Sequence, residues 1–142
     1  MTDSFVLDSF AVLALLGREP GSEDVAGLLR SAQQDQCRVL MTWVNVGEVA
    51  YIVERRWGVE RLHAALAMME ATAIEIVPVG RELAVAAAHI KAKHALAFAD
   101  AFAAALAQES AAILVTGDPE FRVLENVLKI QWLPPTTRAG AR

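Results

Sequence analysis

The fold class to expect is α/β with a central, mainly parallel sheet, and three observations predict it. Short β-type runs alternate with longer helix-type runs, the order in which helical crossovers build a parallel sheet. The length of 142 residues suits one domain and leaves no room for a second. The composition, 55% hydrophobic and 21% charged with only 8 Gly and 5 Pro, supplies a core and excludes disordered, collagen-like and linker classes.

The first strand is Ser4–Leu7, ending at Asp8. Residues 10–16 form a short helix, stopped by Gly17 and the Pro20-Gly21 turn. Ser22 is placed to cap a second helix, whose Val25, Leu28, Leu29 and Ala32 recur at i, i+3, i+4 and i+7. Arg38–Met41 is the second strand; Thr42 then caps a helix running to about Trp57, ended by Gly58. A further helix covers 59–72, with Leu62, Leu66 and Met69 on its apolar side. Ile74–Val77 is the third strand, closed by Pro78. Two alanine-rich helices, near 81–94 and 98–110, precede a fourth strand at Ala112–Val115. Pro119–Glu125 reads as a short helix and Lys129–Trp132 as a fifth, edge strand, giving a sheet of four or five strands. The domain is expected to span 1–133, and Pro134–Arg142, with little to bury, to be a flexible tail.

Charge and cysteine content narrow the function. A net charge of -4 excludes the broad basic footprint of a protein that holds nucleic acid by charge alone, so a polyanionic substrate would need local basic residues or bound cations. The single cysteine, Cys37, excludes an intramolecular disulfide and any zinc site built on two thiolates. It is expected to pack at a strand start. Apolar runs are cut by Asp8, Arg18, Glu48 and Asp100 well short of the ~20 residues of a spanning helix. Asp3 and Asp8 stand where a secretory signal would be basic, so the expectation is a cytoplasmic protein without a membrane partner.

Four carboxylates stand out. Asp8 and Asp118 each follow an apolar strand, at the sheet edge where open α/β folds place their ligands. Helix capping explains either one equally well, and Asp118-Pro119 fits an N-cap followed by proline. On the helix after Thr42 the core stripe is Val46, Val49, Ala50, Val53 and Trp57, while Glu48 lies opposite with Asn45, Ile52 and Arg55. A solvated face would explain that, yet Ile52 points to a covered one. Asp100 is the only charge between Leu96 and Ala107. A lone carboxylate in apolar surroundings is either a helix-start group held by the dipole or a buried functional group. Were the four to meet, each pair ~4 Å apart would repel by roughly 4 kcal/mol at an effective dielectric near 20. Oxygen-only ligands of this kind select hard ions such as Mg²⁺ or Mn²⁺.

The pieces Val6-Leu7-Asp8-Ser9, Asn45-Val46-Gly47-Glu48-Val49-Ala50-Tyr51, Ala99-Asp100-Ala101-Phe102-Ala103-Ala104-Ala105-Leu106-Ala107 and Val115-Thr116-Gly117-Asp118-Pro119-Glu120-Phe121 resemble, in order and spacing, the motifs of PIN-domain ribonucleases, above all VapC toxins. The resemblance runs from residue 5 to about 132. It implies a PIN-like three-layer α/β/α sandwich in which Asp8, Glu48, Asp100 and Asp118 are catalytic and hold one or two Mg²⁺ or Mn²⁺ ions. It further implies that Thr116 and Ser9 orient the carboxylates and that Asn45 touches substrate or bound water. The implied activity is hydrolysis of RNA phosphodiester bonds by water, in a homodimer held inactive by a VapB-type antitoxin.

Other residues have plainer readings. Arg55, two turns from Glu48 on the same face, is the first choice for a phosphate contact among Arg18, Arg55, Arg56, Lys91, Lys93 and His94. His63 and His89 lack a motif and read as surface or packing residues. Trp43, Tyr51, Trp57 and Phe98 are assigned to core or interface rather than to base stacking. Two competing functions remain open. A phosphatase or phospho-acceptor domain would use Asp8 as nucleophile, but position 10 is Phe where a second aspartate is needed. A non-catalytic partner-binding domain would keep the carboxylates as caps only.

Overall fold

A computed structural model describes residues 2–136. Its strands are β1 (Ser4–Leu7), β2 (Arg38–Thr42), β3 (Ile74–Val77), β4 (Ile113–Thr116) and β5 (Ile130–Trp132). Its helices are α1 (Ser9–Leu16), α2 (Ser22–Gln33), α3 (Trp43–Trp57), α4 (Val59–Ala71), α5 (Arg81–Lys93) and α6 (Phe98–Glu109), with a 3-10 helix at Pro119–Leu124. The expected elements are all present, with ends shifted by a residue or so. Ser22 is not a cap: it is the first residue of α2, whose N-cap is Gly21 without a side-chain bond, leaving Glu23 and Asp24 to meet the helix dipole. Residues 134–136 of the expected tail are described; 137–142 lie outside the described residues.

The sheet order is β3-β2-β1-β4-β5, with every pairing parallel. Alternation along the central strands explains why both faces are covered. Leu7, Val39, Met41 and Val115 point into a core with α1 to α4, while Val6, Leu40 and Leu114 point into a second core with α5, α6 and the 3-10 helix. Crossovers toward β3 run in one direction along the sheet and the β3-to-β4 crossover runs back. A constant right-handed connection therefore places their helices on opposite faces. The result is a three-layer α/β/α sandwich. Gly58, at φ 92°, makes the left-handed turn that separates α3 from α4. No helix among the described residues is long and apolar enough to cross a membrane.

Three aromatics expected in core or interface are not core residues: Trp43, Tyr51 and Phe98 are 43%, 49% and 50% exposed. Trp43 and Phe98 are the first residues of α3 and α6, and the helix phase that buries Val46 and Asp100 turns them outward. Trp57 is half-buried and packs on the α1–α4 core, Leu62 and Leu66 are half-buried there, and Met69 is fully buried. His63 and His89 are exposed. Cys37 is half-buried before β2, its thiol facing the Leu28 carbonyl at 3.6 Å. Burial, with the Asp3 carboxylate nearby, raises the pKa of that thiol.

Candidate active site

All five strands end at one edge, and the strand order reverses between β1 and β4, which opens a crevice there. Asp8 follows β1, Thr116 ends β4, and Asp118 lies two residues on. The first turns of α3 and α6 reach the same edge, joined through Asn45 and Ala99.

On the β1–β4 side a chain of hydrogen bonds orders the polar groups. Asp8 is fully buried and caps α1, its Oδ1 accepting from the Ala11 N–H at 2.9 Å. Its Oδ2 accepts from the Thr116 hydroxyl at 2.5 Å. That hydroxyl in turn accepts from the Asp118 N–H at 3.0 Å. Asp118 caps the 3-10 helix, Oδ1 accepting from the Glu120 N–H at 3.0 Å, with Pro119 at the first helical position. Gly117 is required by close approach: a Cβ there would lie 2.3 Å from the ring of Phe10.

A second polar cluster ties the helices together. Asn45 is fully buried; its Oδ1 accepts from the Thr42 hydroxyl at 2.6 Å and its Nδ2 donates to the Ala99 carbonyl at 3.0 Å. The Ser9 hydroxyl donates to the Asn45 carbonyl at 3.3 Å. These bonds go to Thr42 and to backbone rather than to a carboxylate. Ser9 and Asn45 therefore hold α1, α3 and α6 in register, with the Asn45 amide anchored one residue before Asp100. Glu48 follows Asn45 by three residues, half-buried, with its Oε1 sealed from solvent. Asp100 sits in the first turn of α6, only 3% exposed, where the helix dipole favours its negative charge.

Asp100, Asp118 and Glu120 each present a carboxylate oxygen, and these oxygens lie within 4.8 Å of one another. At that spacing each ionised pair repels by about 3–4 kcal/mol for an effective dielectric near 20. A divalent cation relieves this. The donors are oxygens only, the set that a hard divalent ion such as Mg²⁺ or Mn²⁺ would take. Asp8 and Glu48 are not members of the set. Asp8 is linked to Asp118 through Thr116, while Arg55 is exposed on α3 with its guanidinium 5.2 Å from the centroid of the Tyr51 ring. Glu120 is the member sequence reasoning missed. An acid two residues past an N-cap reads as dipole decoration, and only the tight 3-10 turn after Pro119 swings it beside Asp118.

Solved structures with the same fold span nearly the whole chain. The crystal structure of Mycobacterium tuberculosis VapC20, described as a sarcin-ricin loop cleaving toxin, is 18% identical, with a TM-score of 0.67 over 84% of this chain and 93% of that one. VapBC2 from Rickettsia felis, bound to a promoter DNA fragment, is 16% identical, with a TM-score of 0.71 over 92% and 98%. DNA-bound VapBC from Salmonella typhimurium is 18% identical, with a TM-score of 0.68 over the same shares, 92% and 98%. No curated protein matches the sequence. Residues 5–127 match the family model of the PIN domain, a span that includes most of both cores, Asp8, Asn45, Glu48 and the Asp100–Asp118–Glu120 set. The chain belongs to the PIN-domain family.

Proposed function

We propose that this protein is the toxin of a VapBC-type toxin–antitoxin pair, an endoribonuclease that hydrolyses RNA phosphodiester bonds with water in a Mg²⁺- or Mn²⁺-dependent reaction. The carrying observation is that Asp100 and Asp118, on separate elements, bring carboxylate oxygens within 4.8 Å at the crevice of a PIN domain. A bound divalent ion, or a pair, supplies Lewis-acid stabilisation for the charge that builds on the phosphate and the leaving oxygen. Asp100, Asp118 and Glu120 are the residues to hold it; Asp8 acts on Asp118 from behind, through Thr116, and Glu48 adds further negative charge. Thr116 fixes the Asp8 carboxylate and the Asp118 backbone, so neither has to reorganise during the reaction. Ser9 and Asn45 keep α6 seated. Arg55 is the candidate to meet a phosphate further along the strand.

The reading carries partners with it: a homodimer, a cognate VapB-type antitoxin and an RNA substrate in the cytoplasm. Likeness to solved VapBC assemblies supports the antitoxin. A phosphoryl-acceptor role for Asp8 runs against its complete burial, since a nucleophile has to reach its substrate.

The test is cleavage of RNA by protein purified free of partner. Activity is expected only with Mg²⁺ or Mn²⁺, and Asp100→Asn is expected to abolish it while the fold persists. A melting temperature raised by Mn²⁺ supports a shared site by linkage. Full activity in excess chelator, or in Asp100→Asn, would refute the mechanism. If the carboxylates are caps alone, Asp8→Asn and Asp100→Asn lose stability and nothing else.

A further inference from the structure

Beside the loop that carries Asp118 lies a cleft of about 430 Å³, lined by Gly117, Pro119, Arg122, Glu125, Trp132 and Leu133 among others. Gly117 and Pro119 flank Asp118 in the chain, so the cleft borders the loop that carries this carboxylate. We propose that it is a nucleobase subsite, taking one base of single-stranded RNA next to the phosphodiester that is cut. The inference rests on the endoribonuclease reading and adds where the substrate is gripped.

Small-ligand sites occupy about 300–1,000 Å³, so the cleft has room for a single nucleotide but not for a folded duplex. Trp132 offers an indole at the edge strand β5: the residue is 37% exposed, and its Nε1–H donates to Glu125 Oε2 at 3.2 Å. That bond ties the ring to the end of the 3-10 helix and pre-sets its orientation. Every base has a π-face, so a fixed aromatic beside a cleavage site is a stacking platform that tolerates many sequences. Arg122, exposed on the 3-10 helix and also lining the cleft, is the cation to meet the adjoining phosphate in a chain of net charge -4. The occupant is therefore aromatic and anionic, joined to a strand that passes Asp118.

The experiment compares wild type, Trp132→Ala, Trp132→Phe and Arg122→Ala on a short single-stranded RNA, with folding checked by chemical denaturation. Loss of one base–aromatic stack corresponds to roughly 5- to 150-fold in affinity. Trp132→Ala is expected to raise KM for RNA about tenfold with little change in kcat and an unchanged Mn²⁺-induced rise in Tm. Trp132→Phe should recover most of the loss, and Arg122→Ala should weaken binding and flatten its salt dependence. A wild-type KM in Trp132→Ala overturns the subsite while leaving the nuclease reading intact. If Trp132→Ala fails to fold, Arg122→Ala decides, and a wild-type KM with unaltered salt dependence overturns the proposal. If wild type binds RNA without cleaving it, the nuclease reading falls. Direct binding then judges the cleft: tenfold weaker for Trp132→Ala supports it, and equal affinity overturns it. No binding of RNA by wild type overturns both.

Discussion

Thr116→Val isolates the hydroxyl that links Asp8 to Asp118. The substitution keeps the shape and β-propensity of residue 116, which is fully buried at the end of β4, and removes only the hydroxyl. Two bonds go with it: the one donated to Asp8 Oδ2 and the one accepted from the Asp118 N–H. A hydrogen bond to a charged group contributes about 1.5–3 kcal/mol and a neutral one about 1 kcal/mol. Asp8 has no access to solvent, so water cannot replace the lost donor. The expected destabilisation is about 2.5–4 kcal/mol, a fall in Tm of about 10–15 °C for a domain of this size. Urea denaturation gives the first number and differential scanning calorimetry the second. RNA cleavage and the Mn²⁺-induced rise in Tm should both fall further than the stability loss explains, because Asp118 loses its backbone anchor. Thr116→Ser restores the hydroxyl and should recover both readouts. A Thr116→Val protein within 0.5 kcal/mol of wild type, with normal cleavage, would show that the hydroxyl neither secures Asp8 nor orders the loop.

Three further outcomes are expected. Gly117→Ala puts a Cβ 2.3 Å from the buried Phe10 ring, so it should cost about 1–3 kcal/mol by overpacking, lower cleavage, and be partly rescued by Phe10→Leu; calorimetry of the single and double variants checks this. Glu120→Gln removes one of three mutually repelling charges, so without metal the protein should melt slightly higher, whereas the stabilisation gained from Mn²⁺ should shrink; an unchanged gain would take Glu120 out of the ion site. On β2 and β3, Arg38 makes a two-pronged bond to Glu75 at 2.9 Å, which lowers the Glu75 pKa. The folded value lies below the unfolded one, so this contribution is present at neutral pH and disappears as pH falls through the folded value. Denaturation of wild type and Glu75→Gln should therefore differ at pH 7 and converge in acid, and a difference that persists in acid would contradict the assignment.

Much of this was legible in the residues. Alternation in Phe5-Val6-Leu7 and Val39-Leu40-Met41, with helical periodicity between the strands, specifies a sheet covered on both faces. The isolation of Asp100 among alanines marks a carboxylate that the fold buries. What escaped the sequence is tertiary in origin. Asn45 shares the Glu48 side of α3, but nothing local tells that its amide reaches a carbonyl 54 residues away. The 3-10 rather than α geometry after Pro119 turns Glu120 toward Asp118, a difference of one backbone bond pattern that composition does not encode. Trp43 and Phe98 are apolar by type and exposed by position, because a helix start at a sheet edge leaves part of its circumference without a neighbour.

For Asp8 and Asp118, capping and a chemical role are compatible rather than competing explanations. A cap spends one carboxylate oxygen on a backbone N–H, which fixes the side chain's rotamer: Asp8 uses Oδ1 on Ala11, and Asp118 uses Oδ1 on Glu120. The other oxygen is then aimed by the backbone itself, at Thr116 for Asp8. Asp100 obtains the same stiffness differently, from burial in the first turn of a helix whose neighbour in the chain is anchored by Asn45. A site that has to hold a small, geometrically demanding cation benefits from side chains with few accessible rotamers, since little ordering entropy remains to be lost on binding. Substituting Asp118 to Asn, which retains the bond to the N–H but removes charge, should therefore leave the helix start intact and cost metal affinity alone. Substituting it to Ala should cost both, and equal Mn²⁺ affinity in the Asp118→Asn and wild-type proteins would separate the cap from the chemistry after all.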